Sequence, residues 1–334
     1  MIRFATLLLL ALAWGSTGCE SRAAEWTAPN YDDAFWRHWG DGNAELAGYE
    51  LSYPRYGATR SGTAVAIFVT ESFTESTRVK SEDPRRDAAD VVPVIKLNLV
   101  QDFATGIYDY NLMTSAFVAL REVNGRSAGT PSKISFSSQE WCGHAYSHML
   151  FDSTAVRHLL HSYFDGEGDL NETLDYPSGG LAEDALLLWA RGLAAPRIEP
   201  GESVALPLLR SMESSRMRHV DASWTRARLS RSAESRTMEV PAGRFEVDVL
   251  EVRIDAGRVE GSYPAGSSRA LPEAGWTFFV ESAPPHRLVR WTRDDGLEAV
   301  LLGSTRTRYW AMNGPGHEEA LERIGLSPRP PRAP

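Results

Sequence analysis

The run from Ile134 to Met149, ISFSSQEWCGHAYSHM, gathers the side chains of this chain best suited to chemistry. Cys142, His144 and His148 form a C-x-H-x3-H pattern, with His158 and His161 close behind. Zinc and copper both accept a thiolate and imidazoles, and an i, i+4 histidine pair meets on one helix face. The spacing matches no standard zinc signature. A second chemistry uses Cys142 as nucleophile, His144 or His148 as its base, and Glu140 or Gln139 as the orienting or oxyanion group. On a strand this geometry is rare, because alternate side chains point to opposite faces. The third and strongest reading needs no chemistry: Trp141 and Cys142 pack in the core and the histidines sit on a surface turn. No cofactor is expected unless the first reading holds, which would call for a zinc or copper ion.

Asp165, Glu167, Asp169 and Asn171 alternate in an acidic stretch that superficially matches a calcium loop. Leu170 stands where that loop needs glycine, and Tyr176 stands where it needs a bidentate carboxylate, so a solvated acidic loop is expected. The chain has no G-x-S-x-G elbow, Walker loop or dinucleotide fingerprint, which removes the commonest enzyme classes.

The elements that must position these residues read mainly as β. Val94 to Val100 alternates, with Ile95, Leu97 and Leu99 on one face and Lys96 and Asn98 on the other, the pattern of a half-buried antiparallel strand. Thr105-Gly106 joins it to a second strand, Ile107 to Leu120, and Lys133 to Glu140 forms another. From Thr225 onward strands recur to Tyr309, with hairpin turns such as Pro241-Ala242-Gly243 and Asp294-Asp295-Gly296 between them. Tyr31 to Trp39 predicts a short aromatic helix or turn. Leu181 to Leu193 is the clearest helix, with Leu181, Ala185, Leu188 and Trp189 on one stripe.

The expected architecture is therefore a β-rich fold with few helices: a curved antiparallel sheet or half-barrel. Residues 31–195 form an N-terminal β-rich region with a closing helix, 196–312 a C-terminal half-barrel-like region, and 313–334 a short helix and disordered tail. An apolar cavity is expected along the inward residues of strands 94–120 and 244–309.

Composition bounds the partners. The 334-residue chain is 43% hydrophobic and 10% aromatic, enough for a packed core, and its formal charge of −9 disfavours nucleic acid. Residues 1–19 run from Arg3 through an apolar stretch, Phe4 to Trp14, to the small residues Gly15 to Gly18 and Cys19, which reads as a signal peptide. The small residues before Cys19 resemble the lipobox of bacterial lipoproteins, in which that cysteine becomes the lipid-carrying N-terminus. Ser16 departs from the usual leucine. Residues 20–30 then read as a tether, and Glu20 favours the outer membrane, on the periplasmic side. With Cys19 acylated, Cys142 has no disulfide partner.

The runs VPAGRFEVDVLEVRI, WTFFVESAPPHRLVRWT and LLGSTRTRYW resemble the C-terminal half of exported bacterial β-proteins of unknown function related to the LolA/LolB half-barrel. The resemblance rests on hairpin pattern and on residues such as Pro241, Gly243 and His286. The N-terminal part, including SSQEWCGH, is similar to uncharacterised bacterial lipoproteins. Neither likeness supplies catalytic residues. Together they imply a lipid-anchored envelope protein that binds a lipid, an acyl chain or an envelope protein partner, and is more plausibly non-enzymatic than a metal- or thiol-dependent enzyme centred on Cys142, His144 and His148.

Overall fold

The computed structural model describes residues 27–83, 85–165, 167–257 and 271–328. The signal segment, Cys19, most of the tether and the last six residues lie outside them.

One continuous curved sheet dominates the chain. Its N-terminal strands are β1 (Ala44–Arg55), β2 (Ala58–Thr74), the short β3 (Val79–Lys80), β4 (Val91–Thr105), β5 (Tyr108–Ala119), β6 (Pro131–Glu140), β7 (Gly143–Phe151), β8 (Ala155–Ser162) and β9 (Asp169–Asp175). Two residues, Leu181–Ala182, form β10. The C-terminal strands are β11 (Ser203–Leu209), β12 (Trp224–Arg231), β13 (Arg236–Val240), β14 (Gly243–Ile254), β15 (Ala274–Glu281), β16 (Leu288–Arg293) and β17 (Glu298–Thr307).

The join is made by β1, which pairs antiparallel with β2 on one side and with β17 on the other. From there the sheet runs through β4 to β9 in one direction. In the other it passes through β16, β15, β14 and β12 to β11 and β10. Neighbouring strands are mostly neighbours in sequence, so tight turns suffice: at Gly106 the φ of +71° is one that glycine adopts without Cβ strain. The outer edge β9 exposes Asp169, Asn171, Thr173 and Asp175, a polar row that discourages pairing with another chain.

Residues from both halves of the sheet enter one hydrophobic cluster with the segment after β10. Here the expected long helix is corrected. Leu181–Ala182 is strand, a 3-10 turn covers Glu183–Ala185, and only Leu186–Ala190 is α-helix, here α2. All five residues of α2 are buried. A helix that is apolar all round plugs the concavity rather than lying on a surface. Leu97, Leu112, Phe278 and Leu301, inward residues of strands 94–120 and 244–309, accordingly belong to packed core. The expected cavity along those strands is replaced by close packing, and the cavity lies elsewhere.

The short helix expected at Tyr31 to Trp39 is α1 (Asp33–Trp39), capped by Asp32, whose carboxylate accepts from the amides of Ala34 and Phe35. One further helix, α3 (Met212–Arg218), was not legible in the sequence and lies on the concave side near β6. Near the C-terminus a 3-10 helix covers Glu318–Ile324 and packs against β17.

Candidate functional site

The sequence-predicted residues fall on and around the β6–β7 hairpin. Cys142 sits in its turn and is exposed, as is Trp141 at 73%. The expectation that both pack in the core is therefore corrected: a two-residue hairpin tip projects them past the end of the sheet. Glu140 accepts from the Cys142 amide at 2.6 Å. Its hydrogen bond to the thiol and its charge together push the thiol above its ordinary value. A nucleophilic cysteine needs the opposite environment.

His144 and His148 lie on β7, where His144 and Tyr146 are exposed, His148 is half-buried, and all three share the outer face. On a strand, i and i+4 are about 13 Å apart, so one ion cannot bridge the pair. His148 contacts the Tyr146 hydroxyl at 3.3 Å and is held below its ordinary value by burial first and by nearby cations such as Lys133 second. His144 pairs across the strands with Gln139. Among the described residues no group of three His, Cys, Asp or Glu side chains could hold a metal ion. The C-x-H-x3-H residues are adjacent in sequence but are not brought together.

The inner face of the same strands carries a different constellation. Alternation turns Ala145, Ser147 and Met149 of β7 inward, with Val156, His158 and Leu160 of β8 and Leu170, Glu172 and Leu174 of β9. In the ladder His158 stands directly opposite Glu172 and beside Ser147, which faces Leu160. Ser147 Oγ lies 2.9 Å from His158 Nε2, and His158 Nδ1 lies 2.8 Å from Glu172 Oε1. Ser147 and His158 are 4% and 5% exposed. A carboxylate accepts and cannot donate, so Nδ1 carries the proton toward Glu172 and Nε2 is free to accept; the single Ser147 hydroxyl proton has two acceptors in range, Nε2 and the Met212 sulfur, and points to Nε2 only when it leaves the sulfur.

Ser147 and His158 line a cavity of about 340 Å³. Phe136, Ala145, Met149, Leu160 and Leu170 form its apolar wall, and α3 with Val220 to Ala222 covers it. Burial and polar anchors hold α3 there. Glu213 accepts from the Tyr53 hydroxyl at 2.8 Å. Asp184 accepts from the Met212 amide at 3.0 Å and from the Ser211 hydroxyl at 2.9 Å. Burial pushes the Asp184 carboxyl up to about 7. Met212 reaches down so that its sulfur lies 3.1 Å from Ser147 Oγ.

The acidic stretch is not simply solvated, as the sequence suggested. Glu167 lies over the cavity, accepting from the Ser162 hydroxyl at 2.9 Å and contacting Arg216 at 3.8 Å and His219. Arg216 also stacks on Phe164 with its guanidinium carbon 3.7 Å from the ring centre. These contacts join the β8–β9 loop to the end of α3.

Four hairpin tips share this end of the sheet, and each exposes a large side chain: Tyr56 at 59%, Ile107 at 83%, Trp141 at 73% and Tyr163 at 73%. Tyr108 and Trp141 stack with centroids 6.1 Å apart. Arg55, next to Tyr56, donates to the Met217 carbonyl of α3, which ties this rim to the cavity's cover. Residues 27–30 lie at the other end, where the Thr27 carbonyl accepts from Arg197 and Pro29 packs against Gly129 in the β5–β6 turn.

No protein-family model and no curated protein matches this chain. A solved structure, a beta-barrel-like protein of a domain of unknown function, DUF1849, from Brucella abortus, is similar at 11% identity with a TM-score of 0.41. The match covers 79% of this chain and 98% of that one. No family assignment follows from a likeness at that level.

Proposed function

We propose that this is an anchored β-protein of the bacterial envelope that binds an apolar ligand with a polar head, such as a lipid or fatty acyl chain. The cavity carries the reading. Its volume falls in the range of small-molecule sites, and apolar side chains such as Phe136, Met149, Leu160 and Leu170 share its lining with polar ones such as His158, Glu167 and Arg216, which suits an apolar ligand with a polar head. The rim of Tyr56, Ile107, Trp141 and Tyr163 supports the same reading, because aromatic side chains of this kind favour a membrane–water boundary.

Anchorage through acyl chains on Cys19, at the periplasmic side of the outer membrane, belongs to this proposal. A charge of −9 offers little attraction to anionic lipid, so the acyl chains would do the holding. With the tether at the opposite end, the cavity and rim would face away from the anchoring membrane, toward an envelope protein partner or a second lipid surface. The raised thiol of Cys142 argues against a thiol enzyme at that site.

The experiment is native mass spectrometry of the chain purified from a bacterial envelope. A retained lipid-sized mass is expected, lost in Ala145→Trp, which fills the cavity, while circular dichroism stays unchanged. A bare polypeptide mass, together with failure to bind a fluorescent fatty acid, would overturn the reading. Cys19→Ser should move the protein from the membrane to the soluble fraction.

A further inference from the structure

We propose that Ser147, His158 and Glu172 form a nucleophile, base and orienting carboxylate that hydrolyse a carboxylic ester whose acyl chain lies in the cavity. The substrate class rests on the apolar-ligand reading above; the catalytic assignment rests on the three side chains themselves.

The geometry has the connectivity that serine acyl transfer needs. The nucleophile's oxygen is in hydrogen-bond range of one imidazole nitrogen, and the carboxylate holds the other. Such constellations are recognised by geometry and roles rather than by sequence order, so the missing G-x-S-x-G elbow does not bear on it. Here three adjacent strands replace the elbow: the register β7–β8–β9 sets His158 directly opposite Glu172 and diagonal to Ser147 on one face.

Two further groups fit the developing charge. Ser215 and Arg216 line the same cavity at 7% and 8% exposure; Ser215 Oγ has no hydrogen-bond partner among the described residues, and Arg216 Nε makes none either but faces the Glu167 carboxylate at 3.8 Å. A buried donor without a partner is costly, and an oxyanion or ester oxygen in the cavity would supply Ser215 with its missing acceptor, with the Arg216 charge beside it.

The chemistry balances with water as the only co-reactant. Ser147 Oγ attacks the ester carbonyl carbon as its proton passes to His158 Nε2. The tetrahedral adduct collapses, the carbon–alkoxy bond breaks, and the alkoxide takes the proton from Nε2 and leaves as the alcohol. Water then attacks the Ser147 acyl ester, giving a proton to Nε2. That proton returns to Ser147 Oγ as the carboxylic acid departs. Met212, whose sulfur faces Ser147 Oγ, must swing aside for the carbonyl to enter, a movement its unbranched side chain permits.

The test treats the full chain with a long-chain alkyl fluorophosphonate and locates any adduct by intact mass and peptide mapping. A single adduct on Ser147 is expected, absent in Ser147→Ala and formed at least ~100-fold more slowly in Glu172→Gln, where the imidazole loses its orienting charge. Both variants should keep the wild-type circular dichroism spectrum and melting temperature, a readout that shows the fold intact. Fatty-acid binding without any adduct on Ser147 overturns the catalytic assignment and leaves the binding reading standing. An adduct that persists in Ser147→Ala also overturns it. Loss of both signals in the wild-type chain overturns both readings.

Discussion

Arg191 and Glu45 form a two-pronged ion pair inside the protein, with Arg191 Nη1 2.7 Å and Nη2 3.1 Å from the two carboxylate oxygens of Glu45. Arg191 also donates to the carbonyls of His286 and Pro285, both at 2.9 Å. One guanidinium thus ties the end of α2 to β1 and to the β15–β16 turn. Removing one partner of a buried pair strands the other charge, so Arg191→Ala should lower stability by about 3–5 kcal/mol in urea unfolding. Arg191→Met combined with Glu45→Leu should recover most of that loss. A single variant that melts like the wild type would deny the pair this role.

Asp184 sets a pH dependence with a definite sign. Its carboxyl rises from an ordinary 3.8 to about 7 because it is buried. Between those values the folded chain holds a proton that the unfolded chain has released. Its contribution is therefore fully present below about pH 4 and is lost as pH climbs through 7, on the order of a few kcal/mol. Urea midpoints for wild type and Asp184→Asn across pH 4 to 8 check this: the difference between them should shift over that window and level off above it.

Cys142 should be a slow thiol. The Glu140 hydrogen bond and charge that raise it also reduce its thiolate fraction near neutrality. Iodoacetamide should modify Glu140→Gln several-fold faster than wild type at pH 8. Equal rates would mean that Glu140 does not govern the thiol.

The exposed rim gives a surface prediction. Trp141→Ala and Tyr163→Ala each remove an amphipathic ring from a hairpin tip at the cavity end. Each should weaken sedimentation of the unacylated chain with neutral phosphatidylcholine vesicles, with little change in melting temperature. Unchanged partitioning in the double variant would assign the rim another role.

Met212 offers a test of the cavity's cover. Met212→Ala takes away the side chain that meets Ser147 and should speed exchange of a fluorescent fatty acid. Stopped-flow displacement measures it, and an unchanged rate would mean that ligand enters by another route.

The alternation of Ile95, Leu97 and Leu99, or of Val247 and Val249, was enough to identify strands and their buried faces, because a period of two is a local property of the chain. The turn glycines Gly106, Gly243 and Gly296 were readable for the same reason. Strands β7, β8 and β9 were not, since His, Ser, Arg and Glu are mixed among their apolar residues and the alternation is blurred. The sequence therefore drew attention to Cys142, His144 and His148, which are close along the chain but spread along one strand and its turn. His158 was visible only as a further histidine. Its partners Ser147 and Glu172 lie 11 and 14 residues away, and only the pairing register of three strands brings them within hydrogen-bond distance. The cavity depends on contacts still more remote: α3 is set over β7 by Tyr53 and Asp184, far away in sequence. Local pattern determined that this chain is a β-protein with a packed core, whereas cross-strand register and the seat of one short helix decided where its chemistry could lie.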